Sequence, residues 1–433
     1  MDKATTLVEA IHRFSPQPIE FGVGSQNESF YVQRPDDPLG ELRVRLLSAP
    51  TGTEKTLLAG HRGTGKSTEL NRLSADPEIQ QRYEIVDFSV KDSLELTDVD
   101  HVDLLFAMVA RTYDALSSDD APLDLKAHTV AALDGWRSRV VERMEEVAKG
   151  AGADLAVGGD GQGLRGFFGK FGVRLRYERT TREVARQVIK PRIGEFLGHV
   201  SDFFLDAQVA LDQHKGKRLL LLIEDLDKLP DVRKAENLFS DTGPYLVQPP
   251  VRIVYTVPIA LHYSKTFAQI AGRFGQSVLV PNVRLVSHED GGRAYDKGID
   301  TMCAFVEQRM DKGLVDEDAL AAAVEMGGGL FQQMQRLMQK ACTKAVGRTM
   351  TRLSLAEVRE AGADLRAELE RGLERRDIGI LHEVHATKQA SADEATLALL
   401  HFLHLVEYRN SERWCDVNPL LRPTLDRWKP GSS

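Results

Sequence analysis

The sequence predicts an α/β fold: a parallel five-stranded core sheet, followed by a helical lid and a C-terminal winged helix. Three observations predict it. Five short runs rich in apolar, β-branched or aromatic residues alternate with helical patterns up to about residue 285, and strands alternating with helices mean a parallel sheet covered on both faces. After Pro281 the pattern turns to helices alone. Near the C-terminus a helical run passes into VEYRNSERWCDVNPLL, which reads as two short strands around a polar turn.

Residues 1–50 read as a helix, an irregular Gly/Asn/Ser stretch and a second helix from Leu39. KTLLAG is the first strand, KSTELNRLSADP the helix behind it, and YEIVDFSV the second strand. DVDHVDLLFAMVARTYDAL and KAHTVAALDGWRSRVVERMEEVA have helical spacing and form an insertion. Between Lys149 and Gly172 glycine is dense, and the VRLRYE that follows alternates apolar residues with arginine, so this stretch reads as a loop or a mobile hairpin. One long helix is expected from residue 181 to about 212. RLLLLIED, VRIVYTVP and SVLVPNVRL are the remaining strands. Amphipathic helices are expected over 300–312, 316–326 and 330–346, and the pairs Ser354/Glu357 and Ser391/Glu394 read as capping boxes of two further helices. The expected units are 1–50 leading into the core, a core over 51–285 with an insertion at about 100–215, a lid over 286–375 and a winged helix over 376–433. No internal repeat is found.

Composition sets outer bounds. Hydrophobic residues make up 42% and charged residues 28%, which is ordinary for a globular protein with a sizeable core. The formal net charge of −8 gives no whole-chain attraction to nucleic acid. Cys303, Cys342 and Cys415 are scattered without C-x-x-C spacing, so neither a disulfide scaffold nor a zinc ribbon is expected. MDKATTLVEAIHRFSPQP lacks the apolar stretch of a signal peptide, and no apolar run reaches the roughly 18 residues of a membrane span. A cytoplasmic protein without a membrane partner is expected.

The chemistry concentrates in LLAGHRGTGKSTELNRL, where Gly60, Gly65, Lys66 and Ser67 complete G-x-x-x-x-G-K-S between a strand and a helix. Glycines at 60, 63 and 65 let successive backbone N–H groups curl around a phosphate. Lys66 supplies a mobile charge for the β- and γ-phosphates, the Ser67 hydroxyl can enter the shell of Mg²⁺, and the helix adds its positive end. Gly60, His61, Arg62, Gly63, Thr64, Gly65, Lys66, Ser67 and Thr68 are therefore the expected phosphate-binding loop. RLLLLIEDLDKL then supplies carboxylates at the end of a buried strand, where ligands collect in such sheets: Glu224, expected with Ser67 at the metal, Asp225, expected to polarise the attacking water, and Asp227. Because Glu is longer than Asp, Glu224 and Asp225 can exchange roles, and both stand as metal candidates.

Strand, P-loop, a distant apolar strand ending in E-D-L-D, and a helical lid resemble the AAA+ and STAND ATPases, nearest the origin-recognition-like, KAP and NACHT branches. The resemblance runs from about Leu39 to the C-terminus, although its specific motifs occupy only the two segments quoted. It implies ATP and Mg²⁺ as cofactors and ATP hydrolysis as the activity; no NKxD or LSGGQ pattern points to another P-loop class. It also implies that Thr256, in RIVYTVP, sits where a polar residue senses the γ-phosphate, and that Arg273, in AGRFGQSV, sits where a neighbouring subunit offers an arginine finger. A buried structural threonine and a surface arginine are the alternative readings. Where relatives carry a lid arginine in G-G-x-x-R, GGGLFQQMQR has Phe331 and Gln332, with Arg336 a turn further on.

That departure suits a slow switch better than a motor. The first reading is thus a homo-oligomerising, ATP-dependent switch that controls a separate effector or partner, in bacterial signalling or antiviral defence. The alternative is an origin-recognition-like or transposition-regulator-like ATPase that assembles on DNA. HEVH at 382–385 lacks the second histidine of H-E-x-x-H, and with His401 and His404 reads as helix-face residues. RLRYERTTR can track a nucleic-acid backbone or pack on acidic neighbours, the latter preferred, and FFGKFG is either a partner contact or a buried tip. Both functions require Lys66→Ala to abolish nucleotide binding or turnover; a variant that binds and hydrolyses ATP like the wild type, by calorimetry and phosphate release, removes the P-loop assignment.

Overall fold

A computed structural model of the chain describes residues 2–49, 51–117, 125–150, 163–288, 292–410 and 412–428. Its centre is a five-stranded parallel sheet of β1 (Lys55–Gly60), β2 (Tyr83–Ser89), β3 (Arg218–Glu224), β4 (Arg252–Pro258) and β5 (Gly275–Leu279), in the order β2-β3-β4-β1-β5. The three inner strands are buried along nearly their whole length, which is why they read as unbroken apolar runs, whereas the edge strands β2 and β5 alternate. Successive residues divide between the faces. Leu57, Leu221, Ile223, Ile253 and Tyr255 face one core, and Leu58, Leu220, Leu222 and Val254 face the other, beneath helices Gly40–Ser48 and Lys66–Ser74.

Between β2 and β3 the chain makes helices His101–Leu116, Ala127–Gly150, Gly163–Tyr177, Arg179–Ile189 and Ile193–Lys215. Two expectations are corrected here. The Gly-rich hairpin is a helix from Gly163, while residues 151–162 lie outside the described ones. Leu164, Phe167, Phe168, Phe171 and Leu175 fall on one helical face, and Phe106 receives Phe171 edge-on at 4.9 Å and Phe167 at 5.9 Å. The single long helix is broken at Pro191, in the short turn Lys190–Arg192. The three phenylalanines of FFGKFG are therefore buried while Gly169 and Lys170 are exposed, and the arginines of RLRYERTTR pack on their neighbours. Arg182 donates to the Leu175 and Arg176 carbonyls that end the helix, at 2.9 and 2.8 Å, and pairs with Asp98 at 3.0 Å.

The lid comprises helices Asp296–Glu307, Glu317–Gly327, Phe331–Gly347 and Leu355–Glu370, with a core of its own. That core takes in Leu7, Ala10 and Phe14, so the first helix, Leu7–Arg13, packs on the lid helix Phe331–Gly347 while the following strap returns to the sheet. The C-terminal unit has helices Arg375–Thr387 and Glu394–His401, the antiparallel pair β8 (Leu405–Arg409) and β9 (Arg413–Val417), and a last helix Arg422–Arg427. Two two-residue strands, β6 (Val286–Ser287) and β7 (Arg293–Ala294), precede the lid. Ser354 caps its helix as expected, but the cap of Glu394–His401 is Asp393, which accepts from the backbone of Ala395 and Thr396, and Ser391 instead donates to Asp393.

Arg186 anchors the insertion, pairing with Asp98 at 2.9 Å and with Asp103, which is 1% exposed and whose pKa burial raises. Arg186→Met should cost roughly 3–5 kcal/mol by stranding Asp103, and adding Asp103→Leu should recover most of that loss. Urea unfolding of both single variants and the double variant measures the cycle.

Candidate functional site

The loop between β1 and helix Lys66–Ser74 is shaped by its glycines. Gly63 and Gly65 hold φ of 77° and 99°, and a Cβ on Gly60 would lie 2.8 Å from the Val280 carbonyl. The loop floors two hollows that share Ser67, Asp225, Phe30, Arg309 and Gln335 in their walls, one of about 150 Å³ against Lys66 and one of about 970 Å³ reaching Glu224, Asp87 and Lys91. Lys66 is nearly buried; its Nζ donates to the Gly60 and His61 carbonyls at 2.9 and 2.8 Å and meets Asp227 at 2.8 Å.

The acids after β3 take distinct partners. Glu224 is pushed up to about 7, first by burial and then by Asp87, with Asp225 and Asp227 adding to the repulsion and the neighbouring Ser67 opposing it. Asp225, in the left-handed region at φ 69°, meets Lys228 and Ser89 at 2.5 Å each and Lys91 at 3.1 Å. Burial alone would raise its pKa; the hydrogen bonds of Lys228, Ser89 and Lys91 outweigh burial and lower it. Asp227, unassigned by the sequence reading, holds Lys66.

Several predicted loop residues point away from the hollows. Thr64 Oγ1 donates to the Pro281 carbonyl at 3.1 Å, whereas Thr68 lines the smaller hollow and its Oγ1 accepts the Ile19 backbone N–H at 3.1 Å, tying the N-terminal strap to the loop. His61 accepts the backbone N–H of Glu407, in β8, at 2.8 Å. Burial, then Lys66 and His401, push His61 down to about 3, so it is neutral and able to accept. Arg62 donates to the Leu229 carbonyl at 2.7 Å and to His401 Nε2 at 2.9 Å. The Gly63 carbonyl accepts the Gln332 backbone N–H at 3.1 Å. Thus neither His61 nor Arg62 lines the hollows: His61 reaches β8, and Arg62 reaches the turn after β3 and His401.

Two other predicted residues lie outside the site. Thr256 Oγ1 donates to the Ile223 carbonyl at 3.3 Å, and Thr256 does not line either hollow: a threonine inside a sheet finds its acceptor on the next strand. Arg273 donates to the Ser240 carbonyl at 2.6 Å, away from this chain's own cleft. Arg336 pairs with Glu368 on the lid surface. The histidines 382, 385 and 404 bind the Trp428 carbonyl, Asp416 and the Leu369 carbonyl. Sequence reasoning missed Arg34 and Arg309, both buried in the wall of the smaller hollow; no local pattern announces them.

The donor set fits a Mg²⁺–triphosphate. The glycine cradle leaves room that a Cβ would fill, and Glu224 beside Ser67 offers one carboxylate and one hydroxyl. Among the described residues no group of three or more His, Cys, Asp or Glu stands ready to hold a metal. Mg²⁺ bound through one or two protein ligands plus phosphates needs no such group.

No protein-family model and no curated protein matches the chain. Solved structures do match along nearly its whole length. The ORC2 protein of Aeropyrum pernix in its ADPNP-ADP complexes is 11% identical with a TM-score of 0.43 over 96% of this chain and 95% of that one. The Walker-type ATPase of Pyrococcus abyssi is 14% identical with a TM-score of 0.43 over 96% and 99%. Cdc6p of Pyrobaculum aerophilum is 11% identical with a TM-score of 0.37 over 96% and 97%. Likeness this loose carries no residue roles across. Among the described residues, no helix is long and apolar enough to cross a membrane.

Glu407, whose backbone meets His61, is 1% exposed, and burial pushes its carboxyl up to about 7 against the opposing pull of Arg413 and Tyr263. A carboxyl whose folded pKa exceeds its unfolded one keeps its proton longer in the folded state, so stability falls as pH rises from about 4.5 to 7. Glu407→Gln should flatten that part of the profile and leave the variant more stable than wild type at pH 8, by thermal unfolding across pH 5–8.

Proposed function

We propose that the chain is an AAA+-type ATP switch: it binds ATP with Mg²⁺, hydrolyses it slowly, and passes its nucleotide state to a partner through lid and winged helix. One observation carries this. Consecutive loop residues His61, Arg62 and Gly63 hydrogen-bond Glu407, His401 and Gln332, which belong to the winged helix and the lid. A phosphate entering the cradle acts on the same residues that hold both C-terminal units.

In this reading Lys66 takes the β- and γ-phosphates, Ser67 and Glu224 face the metal, and Asp225 orients water. Arg273 is offered to a second copy in a homo-oligomer, and a separate effector reads the state, in signalling or antiviral defence. Slow turnover follows from Gln332 standing beside the loop where an arginine would accelerate chemistry. A protein partner is favoured over DNA because the helix before the β8–β9 hairpin, Glu394–His401, carries no Lys or Arg. Its Leu397, Leu399, Leu400 and His401 are buried, and the helix packs on Ile259–Tyr263.

Hydrogen exchange of Glu394–His401 and β8 tests the coupling. ATP with Mg²⁺ should change protection there in the wild type and leave it unchanged in Lys66→Ala. Unchanged exchange in a wild type saturated with ATP overturns the switch. Salt-sensitive binding of duplex DNA at low micromolar concentration or tighter would replace it with the DNA-assembly function.

A further inference from the structure

Arg309 follows the first lid helix and is 2% exposed. Its Nη1 donates to the carbonyls of Phe30 and Phe305 at 3.1 and 3.0 Å, and its guanidinium lies 3.7 Å from the centroid of the Phe305 ring and 5.3 Å from that of Phe30. Its Nε finds no acceptor, and among the described residues it makes no ion pair. Burial pushes its pKa down to about 9. A desolvated cation without a counter-charge is expensive to keep, and two neutral carbonyls do not balance it.

The second buried arginine, Arg34, lines only the smaller hollow. Arg34 donates to the Thr64 carbonyl at 2.8 Å and to that of Pro281, and it lies 5.4 Å from the centroid of the Phe331 ring, so its charge braces the loop from behind. Arg309 ties Phe30 of the N-terminal strap to Phe305 of the lid through Nη1, and its Nε is left without an acceptor. It lines both hollows, and Lys66, Ser67 and Thr68 line the smaller one with it. Uncompensated positive charge facing a phosphate cradle is charge awaiting an anion.

We propose that Arg309 is a phosphate ligand of the bound nucleoside triphosphate, a lid-borne cation that engages the anion held by the P-loop and draws the lid onto it. This rests on the reading of the hollow as an ATP site. It places the lid's positive charge on the segment after its first helix, whereas the helix after Gly327, Gly328 and Gly329 brings Gln332 to the loop. Because Ala4 pairs with the Arg309 and Asp311 backbone at 2.9 Å each, an Arg309 held by phosphate also fixes the N-terminal segment.

Calorimetry with ATP and with inorganic tripolyphosphate, each with Mg²⁺, tests this on wild type, Arg309→Met, Arg309→Lys and Lys66→Ala. Arg309→Met should weaken both ligands at least tenfold, Arg309→Lys should weaken them less, and the ligand-free melting temperature of Arg309→Met should equal or exceed that of wild type. A wild type that binds neither ligand overturns the ATP site itself. A wild type that binds while Arg309→Met binds ATP within twofold overturns only the role of Arg309. Weakened ATP with unaltered tripolyphosphate binding overturns it too, since Arg309 would then serve the base side of the pocket.

Discussion

The ion pair between Lys66 and Asp227 governs the site. Both side chains are almost wholly buried, at 5% and 6% exposure. A buried pair is costly to assemble and costlier to leave half-broken. Lys66 is also bound to the Gly60 and His61 carbonyls, so the loop's curvature depends on where its ammonium sits. Asp227 belongs to the turn after β3, and that turn gives its Asp227 and Leu229 carbonyls to Arg62. Moving Lys66 onto a phosphate therefore disturbs the strand end, the loop and, through Arg62 and His401, the winged helix together. A ligand shifts such an arrangement only by its differential affinity for two states, and in the proposed switch that difference would arise from the exchange of Asp227 for phosphate.

The parts of the fold legible in the sequence were those whose physics is local. Buried parallel strands must be apolar throughout, and the cradle demands glycine at fixed offsets, so β1, β3, β4 and the loop announce themselves. The helix from Gly163 did not, because its apolar stripe is laid over glycines and depends on Phe106, far back in sequence, to give it a surface to bury against. Pro191 was overlooked inside an otherwise helical pattern, although proline costs an interior helix a hydrogen bond. Asp393 outcompeted Ser391 as a cap through position alone.

The site was legible in its backbone chemistry and opaque in its side-chain partners. Lys66 and Ser67 follow from the motif, and Glu224 from its place at the end of an apolar strand. The motif counts His61 and Arg62 among the loop residues, but their side chains answer to Glu407 and His401, 346 and 339 residues away. Nothing in the spacing of a single sequence encodes such pairings. Arg309 was hidden for the same reason, since an unpaired buried cation is recognisable only when its surroundings are known.

Arg273 illustrates how such a molecule can hold a residue in reserve. Its Nη1 donates to the Ser240 carbonyl, and its helix leads directly into the edge strand β5. The guanidinium–carbonyl bond has one ionised partner, whereas a bond to a triphosphate oxygen pairs opposite charges and can be bidentate. In the proposed assembly, a neighbour's triphosphate would therefore outbid the Ser240 carbonyl, whereas a neighbour whose cleft contained only the Lys66–Asp227 pair would offer Arg273 no anion. In that assembly, the exchange that frees Lys66 within one copy would thus also decide whether the next copy has a reason to lend its arginine.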